Sequence, residues 1–203
     1  MSSSLTIPII LKKGGDILVN TVEPIRDFNI IQDIADVLRE QRERDYVLFM
    51  AGLYLGRRIS DILPLRVRDV KDKKQIYFRE KKKNKEITLD INDDLRKIFK
   101  DYCKGKRDYE YLFRRSKGKN EPITRQQYWY ILNQAAKKIG YEEKIGCHSM
   151  RKSLGRWLYD NGVDVYKIML ILNHESIDYT KRYIGVTRDE INDVLNMVSF
   201  IKK

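Results

Sequence analysis

The chain has 203 residues, with 41 lysines and arginines against 29 acidic residues and a net charge of +12 at pH 7. Hydrophobic residues make up 42% of the sequence, which is enough to bury a core and excludes a disordered chain. We find no membrane-length apolar run, secretory signal, Walker loop or GxGxxG motif, so we expect a basic globular protein of the cytoplasm. Its thiols, Cys103 and Cys147, are expected to be reduced.

The first half of the chain predicts two long helices. Residues 1–21 are interpreted as a short N-terminal arm or edge strand, and residues 22–203 as one domain. Apolar residues recur at helical spacing from Asp27 to Arg44. The nearly all-apolar run 45–55 then predicts a buried helix that ends at Gly56.

The rest of the chain predicts a hairpin followed by more helices. A short helical turn at 60–63 stops at Pro64, and alternating residues at 75–79 and 86–91 predict a β-hairpin with a basic tip. Further helices are predicted at 92–103, 124–139, 148–161, 164–172 and 187–201. Thr124, with Gln127 three residues later, predicts a capping box. The fold class is therefore mainly α with a small antiparallel β-sheet (α+β).

The basic residues are clustered. The segment 66–86 holds ten basic residues against four acidic ones, and further basic residues follow at 104–107 and 114–119. Such clusters are typical of proteins that bind a phosphate backbone. A solvated basic face, or attraction to an anionic membrane, would produce the same pattern.

Three separate pieces of the sequence carry chemically unusual residues. The segment 56–61 reads GRRISD, His148 and Arg151 lie three residues apart, and His174 precedes Tyr183 by nine residues. Arginine can bind the oxygens of a phosphodiester, histidine and lysine can move protons, and a tyrosine oxygen can act as a nucleophile. Each residue alone also has an ordinary structural role, and most of the 13 tyrosines are expected to be packed aromatics. Together they predict transesterification at a phosphodiester.

In this order the motifs resemble those of the catalytic domain of the tyrosine recombinases, also called the phage integrase family. That family has Gly-Leu-Arg-Ile-Ser-Glu at its first motif, which the segment from Arg58 to Asp61 matches. His148 and Arg151 match its His-x-x-Arg box. The resemblance extends from about Val22 to the C-terminus.

The later motifs of the family are also found. Its Leu-Gly-His appears here with Asn173 in place of glycine, before His174, and its nucleophile at nine residues further on is Tyr183. Asparagine also tolerates the left-handed backbone of a tight junction. Tyr179 lies at the wrong spacing for that role. The family's hairpin lysine corresponds best to Lys82, with its neighbours Lys81 and Lys83 as alternatives.

The resemblance implies that a DNA strand is cut through a 3′-phosphotyrosine and rejoined to another strand, with no metal, cofactor or ATP. The residues that it assigns to catalysis are Arg58, Lys82, His148, Arg151, His174 and Tyr183, with Asp61 in support. The residues that we predict to contact DNA are Arg57, Lys81, Lys83, Lys85, Arg114, Arg115, Lys117 and Lys152.

The resemblance further implies double-stranded DNA as the partner, a homotetramer on DNA, accessory DNA-bending proteins and no membrane. The setting would be cytoplasmic and nucleoid-associated, in a prokaryote, phage or mobile element. Most of the family carry an N-terminal helical clamp domain, whereas only about 20 residues precede the catalytic region here. A small stand-alone recombinase, a degraded remnant and a truncated chain are therefore all open.

Three other functions are also open. One is a catalytically silent or accessory DNA-binding protein of the same fold, and another is a type IB topoisomerase-like enzyme. The third is a basic protein that binds RNA or membranes. The sequence does not distinguish integration, excision and inversion.

Overall fold

The computed structural model describes residues 22–80 and 85–187. In chain order its elements are α1 (Phe28–Gln41), α2 (Glu43–Leu55), α3 (Ile59–Ile62), α4 (Val67–Val70), β1 (Gln75–Glu80), β2 (Lys85–Asp90), α5 (Asp93–Tyr102), α6 (Arg125–Lys138), α7 (Ser149–Asp160), α8 (Val165–Leu172) and α9 (Ile177–Ile184). The predicted fold class, mainly α with a small antiparallel sheet, is confirmed.

Helix α2 lies at the centre of the described fold. It contacts α1, α5 and α7, and most of its side chains are buried. A helix that is apolar on all sides is stable only when other elements surround it. It ends, as predicted, at Gly56, whose φ of 54° is in the left-handed region that glycine adopts without strain.

Side-chain caps begin several of the helices. The predicted capping box is present, because the Thr124 hydroxyl accepts a hydrogen bond from the Gln127 amide and the Gln127 side chain accepts one from the Thr124 amide. The Asp27 carboxylate likewise accepts from the amide of Asn29, at 2.8 Å, and begins α1. These bonds satisfy amides that have no partner within the first helical turn.

The hairpin closes one side of the core. Strands β1 and β2 are antiparallel, with Ile76 opposite Leu89 and Phe78 opposite Ile87. Ile76 and Phe78 are both buried, so this face of the hairpin packs inward. The basic tip, with the predicted lysines at 81–83, lies outside the described residues.

A small second apolar cluster joins the last three helices of the described part of the chain. Its buried members are Ile168 and Leu172 of α8 and Ile184 of α9. Gly155 of α7 faces them so closely that a Cβ atom there would lie 2.7 Å from Cγ2 of Ile184 and 3.0 Å from Cδ1 of Leu172. The absence of a side chain at Gly155 therefore allows α9 to approach α7.

Two short helices, α4 and α9, were not predicted. Helix α9 is amphipathic but only eight residues long, and its start is capped by the Ser176 hydroxyl, which accepts from the amide of Tyr179. The predicted arm at 1–21 and, apart from Thr187, the predicted helix at 187–201 lie outside the described residues. No described helix is both long and apolar enough to cross a membrane.

Candidate active site

The separated motifs converge around the side chain of Tyr183, on α9. Its hydroxyl lies 3.5 Å from Nδ1 of His148, the residue immediately before α7. The ring of His174, from the α8–α9 connection, meets the Tyr183 ring edge-on with centroids 4.7 Å apart. The guanidinium carbon of Arg151 is 5.8 Å from the centre of the same ring. The structure thus brings together four of the predicted catalytic residues.

Arg151 is held by two backbone carbonyls. Its Nη1 donates to the carbonyl of Gly56 at 2.7 Å, and its Nη2 donates to the carbonyl of Leu172. The side chain is 3% exposed, and burial lowers its pKa. A guanidinium has five N–H groups, so these two bonds fix its plane and leave further donors for an anion.

The neighbouring arginines Arg57 and Arg58 differ in their burial. Arg58 is exposed at the start of α3, and it lines a small depression together with Arg57, Asp61 and Arg151. Arg57 is 5% exposed, and its Nη2 donates to the carbonyl of Ile171 at 2.7 Å. The DNA contact predicted for Arg57 stays a prediction. In the described structure its guanidinium holds the last turn of α8 through this hydrogen bond.

Both imidazoles lie in a positive environment. Burial, followed by the charges of Arg151 and Arg58, lowers the pKa of His174 to about 4. Burial and the nearby arginines, Arg125 first, also lower the pKa of His148. Both rings are therefore neutral at pH 7 in this site. A bound anion would offset the surrounding positive charge and so weaken one cause of these lowered pKa values.

The tyrosine hydroxyl is protonated in the same environment. Burial raises the pKa of Tyr183, and the charge of Arg151 opposes this effect. A buried phenol needs a base to become a nucleophile, and a neutral imidazole can accept its proton. The 3.5 Å separation from His148 is long for a hydrogen bond, but such distances commonly shorten when substrate binds.

Tyr179 is close to the site but differs from Tyr183 in its surroundings. Its ring stacks on that of Tyr183 at 5.8 Å and meets His174 edge-on at 4.8 Å. It is 47% exposed, whereas Tyr183 is partly buried. The hydroxyl that faces His148 belongs to Tyr183.

A wide groove of about 1050 Å³ opens beside this cluster. Lys152, one of the residues predicted to contact DNA, lines it, although its side chain is mostly buried and burial lowers its pKa. Its lining also includes residues that were not predicted for the site, among them Glu23, Arg125, Gln126, Trp129 and Arg182. The sequence could have predicted two of these residues near the site, because Arg125 follows the predicted cap Thr124 and Arg182 precedes Tyr183.

The basic residues of segment 114–119, the exposed basic patch, adjoin this groove. Arg114, Arg115 and Lys117 are exposed, and Arg115 forms an ion pair with Glu121. Arg115 lines a second cavity, of about 470 Å³, which shares the Gln126 and Trp129 side chains with the groove.

The hairpin residues are placed only in part. Lys85 lies in β2 opposite Glu80, whereas Lys81, Lys82 and Lys83 lie outside the described residues. No three His, Cys, Asp or Glu side chains within 22–80 and 85–187 could together hold a metal ion.

The sequence is similar to that of known recombinases. The model of the "Phage integrase family" matches residues 27–190. The chain is 39% identical over 171 residues to the "Probable integrase/recombinase YoeC" of Bacillus subtilis, which covers 84% of this chain and 93% of that protein. It is 25% identical over 175 residues to tyrosine recombinase XerA of Pyrococcus furiosus, which covers 85% of this chain and 60% of that protein. The chain thus spans about six tenths of the length of XerA.

The fold is also that of solved structures. The Tn1549 transposon integrase, in complex with a circular intermediate DNA, matches with a TM-score of 0.70 at 17% identity, over 90% of this chain and 68% of that one. At this identity the likeness concerns the fold alone. This likeness in fold agrees with the family match, which covers most of the chain. The chain belongs to the phage integrase family, and its fold is that of the tyrosine recombinase catalytic domain.

Proposed function

We propose that this chain is a site-specific DNA recombinase that cleaves and rejoins DNA strands through a 3′-phosphotyrosine at Tyr183. The observation that supports this most directly is the placement of the Tyr183 hydroxyl 3.5 Å from Nδ1 of His148. The guanidinium of Arg151 and the ring of His174 lie against the same tyrosine. A nucleophile, a proton acceptor and a cationic group therefore share one site.

In the cleavage step, Oη of Tyr183 attacks the scissile phosphorus. The Oη–P bond forms, the P–O5′ bond breaks, and the phenolic proton passes to His148. The leaving 5′ oxygen takes a proton from the hairpin lysine, which we assign to Lys82. In the rejoining step a 5′-hydroxyl of another strand attacks the phosphorus and gives its proton back to the lysine. The O5′–P bond forms, the Oη–P bond breaks, and Oη of Tyr183 takes its proton back from His148. One ester replaces another at each step, so no external energy source is needed.

Arg58, Arg151 and His174 bind the non-bridging oxygens of the phosphate. Negative charge on these oxygens grows as the fifth bond to phosphorus forms, so donors placed around them stabilise the transition state more than the ground state. Arg58 is exposed and is available to an incoming strand, whereas Arg151 is already oriented by Gly56 and Leu172. Asp61 supports the site beside Arg58.

The substrate is double-stranded DNA, bound along the groove beside Tyr183. The net charge of +12 and the exposed arginines next to the groove favour a polyanion. The Tn1549 integrase, which shares the fold, is described in complex with DNA. We expect a homotetramer on DNA in the cytoplasm, at the nucleoid, with accessory DNA-bending proteins.

The test is to trap the covalent intermediate. A nicked duplex from the genomic neighbourhood of the coding sequence loses a short fragment after cleavage, so the protein–DNA adduct accumulates on a denaturing gel. We expect the adduct with the wild type and with Tyr179→Phe, the matched control, but not with Tyr183→Phe. An adduct formed by Tyr183→Phe would contradict the assignment of the nucleophile.

Two further outcomes separate the alternatives. Salt-sensitive DNA binding without any adduct would indicate a DNA-binding protein of the same fold. An adduct accompanied by relaxation of supercoiled DNA, but without exchange between two duplexes, would indicate a topoisomerase.

A further inference from the structure

Thr180 contacts the imidazole of His174. Its Oγ1 lies 3.1 Å from Nδ1 of His174. Thr180 is fully buried on α9, one helical turn before Tyr183. Thr180 therefore contacts His174, whose ring packs against Tyr183, but it does not itself line the groove beside Tyr183.

The hydroxyl of Thr180 has one proton, and that proton is already used. Oγ1 donates to the carbonyl of Ser176 at 2.9 Å. The same oxygen can therefore only accept from His174, so Nδ1 of His174 must carry a hydrogen. In a neutral imidazole this leaves Nε2 without a hydrogen, and a protonated imidazole has a hydrogen on both nitrogens.

We propose that Thr180 is a positioning residue that fixes His174 in its Nδ1–H form and directs Nε2 towards the scissile phosphate. The effect of Thr180 on the reaction rests on the proposed function, whereas the tautomer of His174 can be measured without any reaction. Free neutral histidine prefers the opposite, Nε2–H form. The hydrogen bond from His174 to Thr180 thus selects a form that solution would disfavour.

Phosphate binding then takes up a proton. Nε2 can donate to a phosphate oxygen only when the ring is protonated, and the Thr180 hydroxyl already accepts the Nδ1 hydrogen of that cation. Among the described residues, the groups that contact the His174 ring or shift its pKa are Tyr179 and Tyr183 of α9, Arg151 of α7, and Arg57 and Arg58 before α3. None of these groups is a carboxylate, and a bound phosphate would supply the negative charge that stabilises the imidazolium.

The tautomer can be read directly by NMR. The chain has two histidines, so ¹⁵N-labelled histidine gives two imidazoles, and a His148→Gln variant assigns them. At a pH where the ring is neutral, we expect His174 in the Nδ1–H form in the wild type and in Thr180→Ser. In Thr180→Val, which removes the acceptor but keeps the branched shape, we expect the Nε2–H form. An Nε2–H form in the wild type, or an unchanged tautomer in Thr180→Val, would overturn the inference.

Kinetics test the consequence for the reaction. We expect Thr180→Val to slow adduct formation between about 10- and 100-fold, the scale for a misoriented group, and Thr180→Ser to restore most of the rate. The defect should grow as pH rises, because the imidazolium of the Val variant lacks its acceptor and loses its proton at lower pH. In a His174→Ala background, Thr180→Val should have no further effect, whereas a purely structural role would multiply the losses.

The two measurements separate this inference from the proposed function. The expected tautomers in a protein that forms no adduct would refute the recombinase function and leave the hydrogen bond to Thr180 established. Normal adduct formation with equal rates in wild type and Thr180→Val would refute the positioning role alone.

Discussion

Gly155 and Ile184 are in such close contact that a methyl group at Gly155 would lie 2.7 Å from Cγ2 of Ile184. Ile184 directly follows Tyr183 on α9, so this contact sets how near the candidate nucleophile lies to α7. The packing of two apolar residues thus determines the geometry of the polar site.

Gly155→Ala should therefore destabilise the protein and displace Tyr183. An alanine in a helix interior usually adds about 0.5–1 kcal/mol of stability, whereas overpacking costs about 1–3 kcal/mol. We expect a net loss in urea unfolding and slower adduct formation, with DNA binding less affected. Gly52→Ala is the comparison variant, because its Cβ would lie 3.2 Å from Cβ of Met150, a tight contact but a less severe one than at Gly155. Equal stability of the two variants would contradict the proposed fit between α7 and α9.

Arg58→Ala and Arg151→Ala should differ in their effect on folding. Each should lose about 3–4 kcal/mol of transition-state stabilisation, the scale of one preorganised donor. Only Arg151→Ala should also lower the free energy of unfolding, since it leaves the carbonyls of Gly56 and Leu172 without their donor. Single-turnover cleavage and urea unfolding measure the two effects. Near-normal cleavage by both variants would rule out the phosphate site.

The stability of the free protein should depend on His174 at mildly acidic pH. Its pKa is about 4 in the folded chain and about 6.5 in the unfolded chain, so only the unfolded chain takes up the proton between these values. The stabilisation is complete above pH 6.5 and declines as the pH falls towards 4. Urea unfolding at pH 7 and pH 5 should show a smaller loss for His174→Gln than for the wild type. An equal loss of unfolding free energy in His174→Gln and in the wild type would contradict the lowered pKa of His174.

The hairpin lysine can be identified by changing the leaving group. Sulfur in place of the 5′ oxygen departs without needing a proton, so it removes the requirement for a general acid. Lys82→Ala should cleave an ordinary strand slowly and a 5′-thio strand at nearly the wild-type rate. Lys81→Ala and Lys83→Ala are the matched variants. If the 5′-thio strand restored cleavage by Lys81→Ala or Lys83→Ala instead of Lys82→Ala, the general acid would be that lysine.

DNA affinity should fall steeply with salt, in part through the exposed basic patch. Each phosphate contact contributes about 0.9 to the slope of log affinity against log salt. Replacing Arg115 and Lys117 by alanine should lower this slope in a fluorescence anisotropy titration. Lys97→Ala, an exposed lysine of α5 that pairs with Asp94, should leave it unchanged. An unchanged slope in the double variant would place the DNA elsewhere.

The sequence predicted the elements whose signals are local. The buried helix α2, its end at Gly56 and the capping box at Thr124 depend on residues near one another in the chain. The left-handed backbone at Asn173, with a φ of 50°, also agrees with the expectation for asparagine. The motifs also predicted catalytic residues that the fold brings together, including His148 and Tyr183.

Other features depend on distant parts of the chain. Arg57 and Arg58 are neighbours of the same residue type, and the burial of Arg57 involves the Ile171 carbonyl, 114 residues away in the chain. The acceptor role of Thr180 likewise requires the Ser176 carbonyl and the His174 ring in three dimensions. Helix α9 was missed because its eight residues are stabilised mainly by contacts with α7 and α8.

The arginine held between Gly56 and Leu172 has an evolutionary consequence. Its two backbone bonds connect the end of α2 to the end of α8, so the same side chain serves folding and the proposed chemistry. A gene copy released from selection for activity could lose Arg58 or the Tyr183 hydroxyl and still encode a folded protein. Loss of Arg151 would weaken the fold as well. Inactive descendants of this domain should therefore keep the buried arginine longer than the tyrosine hydroxyl.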